Sequence, residues 1–340
     1  MDQSSPTGTP AEARWSRFEP RRSLEADLAY QLLRRAFPRC RIASIAALSG
    51  GYRNANFKVQ LESPAMAVVL RIYEHASSLC QKEIDLIGLV AGAIPVPELL
   101  FAEPRETGDI APFAIFRFVE GVTLRELKQT GNQQAIAEAA YSAGEILAAL
   151  GRFTFSKSGW LSAGAAVTAP LLEGADPLPR FVDLCLGSPN FARRVAPGDR
   201  SRIHDLVWSW APCLSAPDEE TSLVHCDFGM RNLLVRPEQG AWKMAALLDW
   251  EFAVAGSPLI DVGHFLRYES RNRPLLEPHF SDGFRRGGGG KLPPDWRQLA
   301  RIVDLSALVA TLIRDELPRN VEIEIAELIR ATAEDRDPQL

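Results

Sequence analysis

The segment Val224-His-Cys-Asp-Phe-Gly-Met-Arg-Asn-Leu-Leu-Val235 constrains this chain more than any other. His225, Asp227 and Asn232 stand in the order H-x-D-x-x-x-x-N, and an apolar run that reads as a strand follows. Asp249 comes 17 residues after Asn232, in Leu247-Leu-Asp-Trp-Glu251, at the end of a second apolar run. Two strands at that distance make a β-hairpin, which returns Asp249 to the Asp–Asn loop. Phosphoryl transfer from a nucleotide needs a carboxylate to orient and deprotonate the acceptor hydroxyl, and oxygen ligands to hold Mg²⁺ against the phosphates. These three side chains supply such groups. Taken singly, Asp227 reads as a turn residue and Asn232 as a cap; the joint spacing is what carries chemistry.

A chain of 340 residues has room for one large domain or two lobes. The elements favour two. Residues 1–20 are polar and proline-bearing and read as a disordered tail. A helix is expected over 23–37, with Ser23 as its N-cap and Pro38 beyond its end. Strands are expected over 41–48, 52–61 and 67–73, separated by Gly50–Gly51 and by Ser63–Pro64. A helix over 77–92 and strands over 98–102 and 112–118 complete a small lobe, residues 21–118. From 119 to 340 the pattern is mostly helical, most clearly over 135–150, over 200–210 and beyond 295, with an irregular stretch over 153–180. The expected class is α+β: a small antiparallel-sheet lobe with one main helix, then a larger helical lobe, with a ligand cleft between them.

The catalytic segment, together with LLDWEFAVAGSPLIDVGHF, resembles the aminoglycoside phosphotransferase and choline kinase superfamily, small-molecule kinases with a protein-kinase-like fold. The resemblance runs from about residue 40 to about residue 270. It implies that Asp227 is the catalytic base, that Asn232 and Asp249 bind Mg²⁺, and that His225 and Asp261 support the loop. It also implies a phosphate-covering turn at Leu48-Ser-Gly-Gly-Tyr-Arg-Asn-Ala-Asn-Phe57. There Gly50 and Gly51 let backbone N–H groups approach phosphate, and Asn54 or Asn56 adds a donor. Arg71, in place of the lysine typical of protein kinases, would contact nucleotide phosphates with Glu83 as its partner. The hinge that receives adenine falls near Arg117 and Val119. ATP is the implied nucleotide, with GTP open, and Mg²⁺ the implied metal.

Other functions fit poorly. With 38 Lys and Arg against 43 Asp and Glu the net charge is −5, which disfavours a nucleic-acid binder working through bulk charge. Five widely spaced cysteines without a C-x-x-C pair suit a reducing cytoplasm, and no apolar run approaches membrane-spanning length. Gly290-Lys291 fails as a P-loop, since Arg285 and Leu292 occupy the required glycine and Ser/Thr positions. The histidines lack the H-E-x-x-H spacing of a zinc hydrolase. Only Trp250 to Ser257 separate Asp249 from the helix that Pro258 starts, too few for an activation segment that presents a peptide. The expected activity is therefore ATP-dependent phosphorylation of a hydroxyl on a small molecule, either an aminoglycoside-like antibiotic or an amino-alcohol or sugar metabolite. The acidic stretches 218–220 and 322–335 speak for a polycation. A catalytically inactive nucleotide- or protein-binding module is the alternative. Oligomeric state has no sequence signal.

Overall fold

Apolar residues on both faces of successive strands build the small lobe. The strands β1 (Arg41–Ala47), β2 (Asn54–Ser63), β3 (Met66–Tyr73), β4 (Leu99–Glu103) and β5 (Phe113–Arg117) form an antiparallel sheet in the order β1-β2-β3-β5-β4. Phe113 and Ile115 pack in a cluster with Leu32 and Leu33 of helix α1 (Ala26–Ala36). The alternate residues, Ala114 and Phe116, join Cys80, Leu86 and Val90 of helix α2 (Ser77–Val90) in the main core. Burial on both sides explains why β5 reads as a continuous apolar run rather than an alternating one. These coordinates are a computed structural model describing residues 24–48, 54–73, 77–214, 220–271, 273–289 and 292–334. The tail 1–20, Ser23, Gly50 and Gly51 lie outside the described residues. The N-cap of α1 is Glu25, not Ser23, and its side chain makes no cap bond.

The large lobe follows a two-residue strand, β6 (Val122–Thr123). Thr123 accepts from the Glu126 backbone N–H and the Glu126 carboxylate accepts in return, a capping box that starts helix α3 (Leu124–Gln129). Asn132 then caps α4 (Gln133–Leu150), which begins two residues before the expected start at 135. The stretch 153–180 is more regular than its Gly and Pro content suggests. It holds β7 (Gly159–Leu161), a 3₁₀ turn (Ala163–Ala165), β8 (Val167–Ala169) and the start of α5 (Pro177–Leu186). Helices α6 (Pro189–Arg194) and α7 (Pro197–Ser209) follow, then β9 (Ser222–Val224), β10 (Leu233–Glu238), β11 (Ala241–Leu247) and β12 (Val254–Gly256). Helices α8 (Leu259–Leu266), α9 (Glu277–Arg286), α10 (Trp296–Leu312) and α11 (Arg319–Ala333) complete the lobe.

Two features place the site. β10 and β11 form the expected hairpin, with Leu233 opposite Leu247, and β6 pairs with β10. β12 pairs with β9 and β7, tying the strand that leads into the 225–232 loop to the one that leaves Asp249. Behind this, the alanine-rich α4 lies directly against α9. A Cβ on Gly144 would overlap the Phe280 carbonyl, and one on Gly283 the Tyr141 carbonyl, so both positions need glycine for the close approach.

Candidate active site

The loop between β9 and β10 is shaped by Asp261, a buried residue in the first turn of α8. Its two carboxylate oxygens accept the backbone N–H groups of His225, at 2.7 Å, and Cys226, at 2.8 Å. Cys226 has φ 62°, a left-handed conformation uncommon outside glycine, and the double anchor holds it there. Burial pushes the Asp261 carboxyl up to about 7, while the two N–H bonds pull it down. His225 is fully buried, 4.9 Å from the Trp250 ring in an edge-on contact, and accepts from the Asp227 N–H at 3.3 Å. Burial pushes its pKa down to about 4, so the imidazole is neutral at pH 7. Both residues hold the loop.

Asp227 lies on this loop with its side chain about a third exposed. Asn232 Nδ2 donates to its Oδ2 at 2.7 Å and to its backbone carbonyl at 3.0 Å. The other oxygen, Oδ1, lies 3.4 Å from His264 Nε2, and burial pushes that imidazole well below the ordinary value. Burial, then the charge of Asp249, pushes the Asp227 carboxyl up to about 6, against the lowering effect of the Asn232 bond. His264 was not read from the sequence. It stands one helical turn after Asp261, and only the packing of α8 under the loop brings it to Asp227.

The Asp249–Trp250–Glu251 turn meets the small lobe residue by residue. Asp249 has φ 68° and accepts from Arg71 Nη2 at 2.7 Å. Arg71 Nε lies 3.0 Å from Glu83 Oε2, so the expected pair forms and extends to Asp249. Burial opposes the Arg71 charge, and Glu83 and Asp249 more than offset it, raising the pKa. Glu83 Oε1 accepts from Trp250 N–H at 3.3 Å, and the Tyr73 hydroxyl donates to its Oε2. Asn54 is buried and donates to Glu251 Oε2 at 3.0 Å, so its amide is turned to the large lobe. Lys82, also buried, donates to the Glu251 carbonyl at 2.8 Å. Neither Lys82 nor Glu251 was singled out from sequence.

Arg117 is exposed, and its guanidinium pairs with Glu98 at 2.5 Å rather than turning inward. Its N–H donates to the Glu98 carbonyl and the Phe118 N–H to Ala67, while Val119 sits half-buried at the start of the crossing to the large lobe. The carboxylates of the acidic last helix have partners within the chain. Glu322 pairs with Arg319 and Arg194, Glu324 accepts from the Tyr268 hydroxyl, and Glu327 pairs with Arg271.

The donor set suits a hard cation. The Leu248 N–H bond to the Asn232 carbonyl, at 2.9 Å, holds Asp249 beside the 225–232 loop. The Asn232 amide nitrogen is spent on Asp227, so its amide oxygen is the atom that could ligate a metal, and Asp249 could add a carboxylate oxygen. Among the described residues no three His, Cys, Asp or Glu side chains cluster to hold a metal by themselves. Two protein oxygens fit Mg²⁺, whose other positions go to phosphate oxygens and water.

A model of the phosphotransferase enzyme family matches residues 44–302. Acyl-CoA dehydrogenase family member 11 of Gallus gallus is 26% identical over 235 residues, covering 66% of this chain and 28% of that protein. Acyl-CoA dehydrogenase family member 10 of Mus musculus is 24% identical over 188 residues, covering 54% of this chain and 16% of that protein. The chain thus spans less than a third of the length of these curated relatives. The GDP complex of wild-type aminoglycoside 2'-phosphotransferase-IIIa superposes with a TM-score of 0.69 at 16% identity, over 92% of this chain and 99% of that one. The ternary complex of a thermostable mutant of aminoglycoside phosphotransferase APH(4)-Ia with ADP and hygromycin B superposes with a TM-score of 0.62 at 18% identity, over 90% and 96%. At these identities the likeness establishes the fold, a kinase-like α+β architecture.

Proposed function

The chain belongs to the phosphotransferase enzyme family, and on that premise we propose that it transfers the γ-phosphate of ATP to a hydroxyl of a small molecule. The observation that carries this reading is Asp227, a carboxylate held in one orientation by Asn232 and raised to about 6 by burial and by the charge of the nearby Asp249. A base with a pKa just below neutrality is ionised at pH 7 and still basic enough to take the acceptor's proton. Asp227 orients the hydroxyl and receives its proton as the new O–P bond forms. Arg71 fixes Asp249 and carries positive charge toward the nucleotide phosphates. Asn232 and Asp249 would hold Mg²⁺, which supplies neutralisation of charge on the transferring phosphoryl group.

The short connection from Asp249 to α8 supports a small acceptor, since it offers no platform for a peptide. The internal pairing of the last helix weakens one of the two acidic stretches that spoke for a polycation, and Asp218 and Glu219 of the other lie outside the described residues, so aminoglycosides, amino alcohols and sugars all stay in the panel. Dependence on ATP and five free thiols fit a cytoplasmic setting. No helix of the described residues is long and apolar enough to cross a membrane. The test is an ATP-consumption screen over aminoglycosides, aminocyclitols, amino alcohols and sugars, confirmed by product mass. An acceptor heavier by one phosphoryl group, formed only with Mg²⁺, supports the reading. Nucleotide binding without turnover on any acceptor would favour a non-catalytic module.

A further inference from the structure

Lys82 and Glu83 are consecutive residues of α2, and they hold consecutive residues of the Asp249–Glu251 turn. Glu83 accepts the Trp250 N–H, and the Lys82 ammonium donates to the Glu251 carbonyl at 2.8 Å. From β2, Asn54 donates to the Glu251 carboxylate at 3.0 Å. All three small-lobe side chains are buried, at 6%, 2% and 6% exposure for Lys82, Glu83 and Asn54, as is Glu251 itself at 6%.

Two physical facts make this arrangement informative. Asp249 has φ 68°, and a non-glycine residue in that region costs about 1 kcal/mol or more, so neighbours must hold it there. A buried ammonium loses its hydration, and replacing a buried charge by an apolar group of similar volume often leaves stability unchanged or improved. Lys82 is thus poorly explained as a packing residue. Its effect is geometric: together with Asn54 it fixes the far end of the turn whose near end carries Asp249.

We propose that Lys82 and Asn54 are positioning residues, forming a buried cross-lobe catch that holds Glu251 and so presents Asp249 to the metal–nucleotide pair in one orientation. The proposal rests on the phosphotransferase reading for what Asp249 does, but not for whether the turn is held. Neither residue touches the reacting atoms: Lys82 acts through the Glu251 backbone carbonyl and Asn54 through the Glu251 carboxylate.

The test uses the full chain with K82M and, separately, N54A, which leaves the lysine in place. In ligand-free protein, amide hydrogen exchange in a peptide spanning 247–253 is expected to quicken about tenfold in each variant, the loss of one charge-assisted bond, while β1–β3 peptides keep wild-type rates. Calorimetric ADP affinity should stay within about twofold of wild type without metal and fall about tenfold with Mg²⁺, because only the metal-dependent part passes through Asp249. Wild-type protection of the 247–253 peptide in both variants would overturn the catch. So would an equal rise in exchange across the whole chain, which marks general destabilisation. If wild-type affinity for ADP proves indifferent to Mg²⁺, the metal reading of Asp249 fails, and the exchange result alone still decides whether the catch exists.

Discussion

Asp227 sits under two opposing influences. Burial and the Asp249 carboxylate favour its protonated form, and the Asn232 amide favours the ionised one; the first pair prevails, leaving the group at about 6. Its base form is therefore lost as pH falls through that value, and kcat/KM for phosphoryl transfer should show an acid limb near pH 6, falling about tenfold per pH unit below it. A profile flat down to pH 4.5, about half a unit above an ordinary carboxylate, would show that the base does not carry this raised pKa. The triad of Asp227, Asn232 and Asp249 was legible in sequence because two members share one loop and a hairpin supplies the third. The Arg71–Glu83 pair was legible through its place in the kinase-like plan. Lys82, Glu251 and His264 were not. The Asn54–Glu251 bond joins residues 197 positions apart, and local sequence carries no sign of it.

Among the elements, the catalytic loop depends on α8 and the core depends on the α4–α9 crossing. Asp261→Ala leaves the buried His225 and Cys226 N–H groups without acceptors and should cost about 2–5 kcal/mol of unfolding free energy, read by urea denaturation. Gly283→Ala places a methyl group into the backbone of Tyr141, which no rotamer change relieves. A loss of at least about 3 kcal/mol is expected, and a near-neutral effect would contradict the close helix contact. Long elements with a cap or clear periodicity were visible in advance, as α2, α4 and the five strands of the small lobe show. The elements within 153–180 were hidden for separate reasons. β7 and β8 are three residues each, too short to display a period. The start of α5 carries Pro177 at a first-turn position, where proline begins a helix, yet it stands among residues that read as loop.

The whole molecule has two lobes by topology but a shared core. Tyr73, Cys80, Leu86 and Phe116 of the small lobe belong to the same buried cluster as Ile136, Phe228 and Phe280 of the large one. The Asn54, Arg71, Lys82 and Glu83 contacts also cross the boundary. The 118/119 division is thus a functional proposal rather than a folding boundary, and unfolding followed by far-ultraviolet circular dichroism and by tryptophan fluorescence should give one coincident transition. Two separated midpoints would show independently stable lobes. The general plan followed from sequence because the H-x-D-x-x-x-x-N segment and its hairpin dictate it, whereas residues 153–215 and 265–300, where acceptor specificity is expected, carry no motif that names an acceptor. The central claim is that Asp227 is the base of a phosphoryl transfer. Its most direct measurement is single-turnover transfer of labelled γ-phosphate from Mg-ATP to the best acceptor, comparing wild type with Asp227→Asn. The transfer rate is expected to fall about 10²–10⁴-fold, with Mg-ATP affinity kept within about threefold. Transfer by Asp227→Asn at the wild-type rate would contradict that claim.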